Sequence, residues 1–252
     1  MRIACVDRQT GHAAVASSAG KRDREGVKMR IVSWNMGCGG PGPYGPTHEN
    51  AWNYLLEQLQ PDVALVQESK LAASGWVADR GSLFWGDHWR GWGTGIFVRK
   101  GLSAVERQLP SEGSFVAAAD VGEGSTILTV ASIHVAPTKE KRRHLQNLID
   151  VLFPALKGRA FVAGGDFNAA RSYGQGWFFA ELAERGLHDC HWDLHGQEGR
   201  SFWGQHGLEA IPGDYFFVDA ATGRASACYV VDNEEVRRLS DHGPVLLHLD
   251  AT

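Results

Sequence analysis

Where the apolar runs of this chain stop or start, polar side chains with ligand or proton chemistry stand at the boundary: Asn35, Gln67 with Glu68, His134, Asp166 with Asn168, Asp214, and the pair Asp241-His242. The runs are short and rich in valine, isoleucine, leucine and alanine, the composition of buried strands. Loops at the ends of such strands crowd one rim of a layered α/β fold, so side chains far apart in sequence can converge on one cleft.

Strands are predicted over residues 30–34, 63–66, 95–99, 115–121, 126–134, 160–163, 214–218, 227–231 and 245–249. A glycine- and proline-rich loop at 37–46 separates the first strand from a helix predicted at 49–59. In that helix Trp52, Leu55, Leu56 and Leu59 recur at i, i+3, i+4 and i+7, one amphipathic face, and Pro61 ends it. Further helices fit residues 139–156 and 177–185. Strands outnumber helices, several follow one another with no helix between, and no fixed repeat recurs. The fold class this implies is α/β, a four-layered sandwich of two mixed β-sheets packed face to face with helices outside.

One domain is expected over residues 29–252, preceded by a disordered tail at 1–28 that shows no helix or strand periodicity. The tail carries six Lys/Arg against three Asp/Glu, which leaves 19 against 26 in the domain, a net charge of −7. An acidic domain does not coat nucleic acid by charge alone; a polyanionic substrate must meet a local basic patch or bound cations. Cys5, Cys38, Cys190 and Cys228 form no CxxC pair, which points to reduced thiols and a cytoplasmic compartment. No apolar run reaches the roughly 18 residues of a membrane span, so no membrane insertion is expected, and the protein is taken as a soluble monomer.

The densest chemistry lies in Gly164-Gly165-Asp166-Phe167-Asn168 and Ser240-Asp241-His242-Gly243-Pro244. Carboxylate, amide and imidazole at the mouth of a sheet are suited to holding a metal ion and cutting a phosphate ester. A phosphodiester repels anionic nucleophiles, so the site needs a divalent cation on the phosphoryl oxygens and a positioned water. Glu68 is the best candidate ligand, because a hard ion such as Mg²⁺, with Mn²⁺ the alternative, prefers carboxylate and water oxygens. Asp166 is placed to align and deprotonate the attacking water, with the Asn168 amide on a phosphoryl oxygen or on the nucleophile.

In register along residues 29–252, the segments Ser33-Trp34-Asn35, Val66-Gln67-Glu68, Gly93-Thr94-Gly95-Ile96, Ser132-Ile133-His134, Gly165-Asp166-Phe167-Asn168, Gly213-Asp214-Tyr215-Phe216 and Ser240-Asp241-His242-Gly243-Pro244 resemble the endonuclease/exonuclease/phosphatase superfamily of DNase I-like, metal-dependent phosphoesterases. The resemblance implies that Asn35 and Asp241 complete the metal shell of Glu68. It also implies that His134 and His242 face the phosphate and that Asp214 fixes the tautomer of His242 and raises its pKa. The chain lacks the Asn-x-Tyr type motif of exonuclease III-like repair enzymes, which argues against abasic-site repair. The carboxylate that pairs with the first histidine in DNase I has no match around residues 93–97, leaving open what orients His134.

Each residue has a plainer rival as a cap or turn residue, and the set is what carries the reading. His191 and His195, with Cys190 beside them, suggest a zinc site, against a rival in which Gly186-Leu187-His188-Asp189 and Ser201-Phe202-Trp203 follow the superfamily layout. Trp76, Trp85, Trp89 and Trp92 either fill core and loop or stack on bases. The basic run from Lys139 to Arg143 opens a helix, where the dipole disfavours it; it faces either solvent or a phosphate-rich substrate. The leading expectation is a nuclease acting on DNA or RNA by in-line attack of water. The alternatives are a lipid or small-molecule phosphodiesterase or phosphatase, and a catalytically silent binding scaffold.

Overall fold

Interior-facing residues recur every second position along the central strands, and each face of those strands meets a different core. The computed structural model describes residues 27–37, 48–70, 75–89, 92–112, 114–123, 126–203 and 210–251. Cys5, Cys38, the tail up to residue 26, most of the glycine-rich loop and the Trp89 side chain lie outside the described residues.

One sheet has the order β11-β12-β1-β2-β4-β3, built from β1 (Val27–Asn35), β2 (Val63–Ser69), β3 (Gly81–Trp89), β4 (Trp92–Arg99), β11 (Gly223–Val230) and β12 (Val245–Ala251). The other has the order β5-β6-β7-β8-β10-β9, from β5 (Ser103–Glu106), β6 (Ser114–Glu123), β7 (Thr126–Val135), β8 (Phe161–Asp166), β9 (Leu187–Asp189) and β10 (Asp214–Asp219). β1 and β2 run parallel, as do β7 and β8, and the remaining pairs are antiparallel. A parallel pair needs a helical crossover. The first is α1 (His48–Asn53) continued by a π-helical turn (Tyr54–Leu59). The second is α3 (Lys141–Asn147), a π-helical turn (Leu148–Leu152) and α4 (Phe153–Leu156). The short helices α2 (Gly75–Arg80), α5 (Gly176–Glu184), α6 (Cys190–His195) and α7 (Glu234–Leu239) complete the chain.

Ile31, Val63, Leu65 and Ile96 of the first sheet pack against Leu128, Val130, Val162 and Phe216 of the second. The alternate residues Val32, Trp34, Ala64 and Val66 face outward onto Trp52, Leu55, Leu56 and Leu59 of the first crossover. On the far side Ala131, Ile133 and Ala163 pack on Leu145, Leu148, Ile149, Leu152, Phe178 and Phe179. Each fully buried leucine or valine contributes roughly 1.5–3 kcal/mol. The result is the expected four-layered sandwich.

Several predicted boundaries shift by one to three residues, the start of β1 among them. β1 begins at Val27 rather than Arg30, because Val27, Lys28 and Met29 pair with Ala251, Asp250 and Leu249. The first crossover helix ends at Leu59, where predicted, and is capped by Gln60, whose left-handed backbone (φ 47°) lets its N–H reach Leu55 O. β3, β5, β9, α2, α6 and α7 had no sequence signal strong enough to place them. β5 is an edge strand with no buried residue, so alternation is absent. β3 is also an edge, and its ladder slips between Trp85 and His88, which breaks the period.

Gly165 sits where β8 meets β7, with φ 151°, and an added Cβ would lie 1.8 Å from the Ile133 carbonyl oxygen. Gly165→Ala must therefore part the two strands beside Asp166 or strain its own backbone. It is expected to cost about 2–4 kcal/mol in urea-induced unfolding; a loss under about 1 kcal/mol would contradict this packing.

Candidate active site

The period that packs Ile31, Leu65, Val130, Val162 and Phe216 between the sheets carries on past the apolar run at one end of each strand. Asn35, Gln67, His134, Asp166 and Asp214 occupy the next interior-facing positions, so all five enter the gap between the sheets at the same rim. Asn35 lies opposite Gln67 across β1 and β2. His134, Asp166 and Asp214 lie opposite one another across β7, β8 and β10.

Glu68 has the wrong parity for this gap. A register shift in the β2–β4 ladder between Val66 and Ser69, with Glu68 at φ 45°, turns it inward. Its Oε1 then lies 3.3 Å from Asn35 Nδ2 and 3.6 Å from His134 Nε2. The bulge is anchored below by Gln67, whose amide donates to Ser132 Oγ at 2.9 Å and to Leu65 O at 3.0 Å. It is anchored beside by His48, whose Nε2 accepts from Lys70 N at 2.9 Å and Trp52 Nε1 at 3.3 Å and lies 3.0 Å from Ser69 Oγ.

Asp166 is 1% exposed. Its Oδ2 accepts from Asn35 Nδ2 at 2.9 Å and Asn168 Nδ2 at 3.0 Å, and its Oδ1 from Asn168 N at 2.8 Å. The tight loop needs Asn168 in the left-handed region (φ 49°), and the Asn168 amide also donates to Val135 O at 2.9 Å. Burial above all, then the Asp214 charge, raises the Asp166 pKa against the lowering pull of His242 and His134. The Asp166 Oδ2 stands 3.9 Å from Nε2 of each of these histidines.

Asp241 and His242 come from the loop before β12. Ser240 Oγ donates to Asn35 O at 2.7 Å and accepts from His242 N at 3.1 Å, while Trp34 Nε1 donates to His242 O at 2.9 Å. His242 Nδ1 is 2.9 Å from Asp214 Oδ2, which also accepts from Ser201 Oγ at 2.5 Å. Burial alone would lower the His242 pKa, but the Asp214 charge and hydrogen bond, with Asp166 and Asp241, push it up to about 10. The ring is therefore an imidazolium at neutral pH that donates to Asp214. Asp241 is raised, mainly by burial, and feels the charges of Glu68 and Asp166.

His134 is buried, and among the described residues neither ring nitrogen has a hydrogen-bond partner. Its ring is held by packing instead: Phe115, opposite it across β6 and β7, stacks at 5.8 Å and 28°, and Trp92 packs against both rings, 6.2 Å from His134 and 6.1 Å from Phe115. Phe202 stands against His242 in a similar way, at 4.7 Å.

Seven of the eight candidate residues are thus joined by hydrogen bonds or ion pairs, and the Asp241 carboxylate stands near enough to feel the charges of His242, Glu68 and Asp166. Gln67, Ser132, Ser201, Phe115 and His48 support it without having been given a role from sequence; the interior parity of Gln67 and Ser132 was the available signal. Ligand atoms of Asp166, Asp214 and His242 fall within 4.8 Å of one another, but Asp214 Oδ2 already receives two donors and a protonated imidazole ligates no cation. Asn35 turns its Nδ2 towards Glu68 and Asp166, while its Oδ1 accepts from Gly37 N at 3.0 Å. Burial first, then neighbouring carboxylates, raises the pKa values of Asp166 and Asp241, and a divalent cation among Glu68, Asp166 and Asp241 would relieve that charge. The suggested zinc cluster is otherwise engaged: His191 Nδ1 is 2.9 Å from Gln197 O and His195 Nε2 is 2.8 Å from Cys228 O. Among the described tryptophans, Trp76 pairs with Arg80, whose guanidinium lies 5.1 Å from its ring, and Trp92 reaches the site.

The sequence profile described as Endonuclease/Exonuclease/phosphatase family matches residues 32–242. Similar solved structures include D. rerio TDP2 complexed with a single strand DNA product, at 20% identity and TM-score 0.68, covering 88% of this chain and 98% of that one. The endonuclease domain of TRAS1, a telomere-specific non-LTR retrotransposon, is similar at 17% identity and TM-score 0.68, covering 89% and 99%. The human Nocturnin catalytic domain with bound sulfate is similar at 15% identity and TM-score 0.67, covering 89% and 94%. No curated protein matches the chain.

Burial first and Lys70 second lower the His48 pKa from 6.5 to about 4. The unfolded chain therefore binds a proton between these values that the folded protein refuses, so stability is retained above pH 6.5 and falls as pH drops towards 4. His48→Gln keeps an acceptor but does not titrate. The melting temperature of the variant is expected to fall less steeply over this window than that of the wild type; parallel profiles would contradict the assignment.

Proposed function

The chain belongs to the endonuclease/exonuclease/phosphatase family, and from that premise we propose that it is a divalent-metal-dependent phosphodiesterase of nucleic acid, hydrolysing by in-line attack of water. The family comprises phosphoesterases with nuclease members, so the finer points of the proposal are metal dependence, substrate and the roles of individual residues. The observation that carries it is the single buried gap in which Glu68, Asp166 and both imidazoles lie within 3.9 Å of a neighbour in the set.

Glu68, with Asn35 and Asp241, would hold the cation, Mg²⁺ by the oxygen chemistry of the donors. When bound, it neutralises phosphoryl charge and the departing oxygen. Asp166 takes the proton of the attacking water. Its burial raises its proton affinity, and the Asn35 and Asn168 amides fix its orientation. Asn168 gives its two amide hydrogens to Asp166 and to Val135 O, so it acts by fixing the carboxylate that orients the nucleophile.

His242, held protonated and aimed by Asp214, offers Nε2–H to a phosphoryl oxygen. Among the described residues neither His134 nitrogen makes a hydrogen bond, and the ring is held by aromatic packing with Glu68 and Asp166 at 3.6 and 3.9 Å from Nε2, so its polar edge is left for the phosphate. Donors fixed in a dry site stabilise the developing charge more than mobile ones in water. The DNA product named for the TDP2 complex supports a nucleic-acid substrate. Among the described residues no helix is long and apolar enough to cross a membrane.

The test incubates the protein with single-stranded DNA, plasmid, RNA, sphingomyelin and bis-p-nitrophenyl phosphate, with Mg²⁺ or EDTA. Turnover of a nucleic acid that EDTA abolishes is expected, lowered about 10²–10⁴-fold by Asp166→Asn and by His242→Ala. Preference for sphingomyelin would move the substrate class to lipid. Metal-independent turnover, or variants as active as the wild type, would overturn the proposal.

A further inference from the structure

α3 opens on Lys141, a cation in the first turn of a helix, where the dipole disfavours positive charge. Its ammonium bends over the Asp166 loop and donates to Asn168 O at 2.7 Å. Among the described residues no carboxylate pairs with it. Its neighbours are spoken for: Arg143 pairs with Glu140 at 2.6 Å, and the Arg142 guanidinium lies 4.8 Å from the Trp177 ring. A half-buried ammonium held only by a carbonyl keeps donors for another acceptor.

Lys141 shares a cleft of about 210 Å³ with Asp166, Asn168 and His242. The lining also includes Phe202, whose ring lies 4.7 Å from that of His242, and Tyr173, a large ring residue left 58% exposed. The volume lies below the roughly 300 Å³ at which drug-sized ligand pockets begin, and so suits one unit of a chain rather than a whole ligand. Cation, exposed ring and small volume occur together directly beside the reacting groups.

We propose that this cleft is a subsite for the nucleotide next to the scissile phosphate. Lys141 binds that nucleotide's own phosphate and Tyr173 stacks on its base. The proposal rests on the phosphodiesterase reading above and adds a substrate requirement: a second phosphate one nucleotide away. An acidic domain needs such local cations to hold a polyanion.

The experiment uses two pairs of chromogenic esters, thymidine 5′-(p-nitrophenyl phosphate) with and without a 3′-phosphate, and thymidine 3′-(p-nitrophenyl phosphate) with and without a 5′-phosphate. In at least one pair the second phosphate is expected to raise kcat/KM of the wild-type enzyme about 10-fold or more, mainly through KM. Lys141→Gln is expected to bring that ratio close to one, and Lys141→Arg to restore part of it, with melting temperatures recorded to show that both variants fold. No advantage of the second phosphate in either pair, or an advantage that survives Lys141→Gln, would overturn the subsite while leaving the hydrolase standing. No turnover of any of the four esters or of bis-p-nitrophenyl phosphate would overturn the hydrolase itself.

Discussion

The carboxylate of Asp166 lies almost completely out of water at the seam between two sheets. Burying a carboxylate costs several kcal/mol, and here that cost is offset by three hydrogen bonds from Asn35 and Asn168 and by two imidazoles at 3.9 Å. Its partners come from β1, β7, the loop after β8 and the loop before β12, so satisfying this one group ties four distant parts of the chain together. The interaction explains why Asn168 adopts a left-handed backbone.

The two sheets approach this point by the same device. Each places apolar residues between the layers and then, at one end, substitutes polar ones at unchanged parity. The Gln67 amide crosses the gap to Ser132 and joins the sheets just below the site. One exception to parity, Glu68, is handled by a bulge whose outer side His48 secures. The two imidazoles are positioned differently. His242 is oriented by a carboxylate and charged, whereas His134 is oriented by aromatic packing and, among the described residues, has no hydrogen-bond partner. That difference gives one fixed positive charge and one adaptable ring facing the same space.

Much of this was legible in the sequence. The apolar runs located the central strands, and the polar residues at their ends named the site, because strand alternation carries Asn35, His134, Asp166 and Asp214 to one side without further information. What alternation does not carry is lateral pairing. Phe115 becomes the support of His134 only through the β6–β7 register, and Ser201 reaches Asp214 from a separate segment. Edge strands such as β5 and β3 lack a buried face or an unbroken ladder, so they leave little periodic trace. The bulge at Glu68 is a backbone choice of a non-glycine residue, which composition does not mark.

The charge crowding of Glu68, Asp166 and Asp241 is the feature that gives the gap its chemistry, and locating a bound cation tests it most directly. Crystals grown with Mn²⁺ and measured at its absorption edge are expected to show an anomalous peak within about 2.5 Å of the Glu68 carboxylate, with Asn35 or Asp241 beside it. A peak ligated by Asp214 and His242 with none at Glu68, or no peak in the gap at saturating Mn²⁺, would contradict the account.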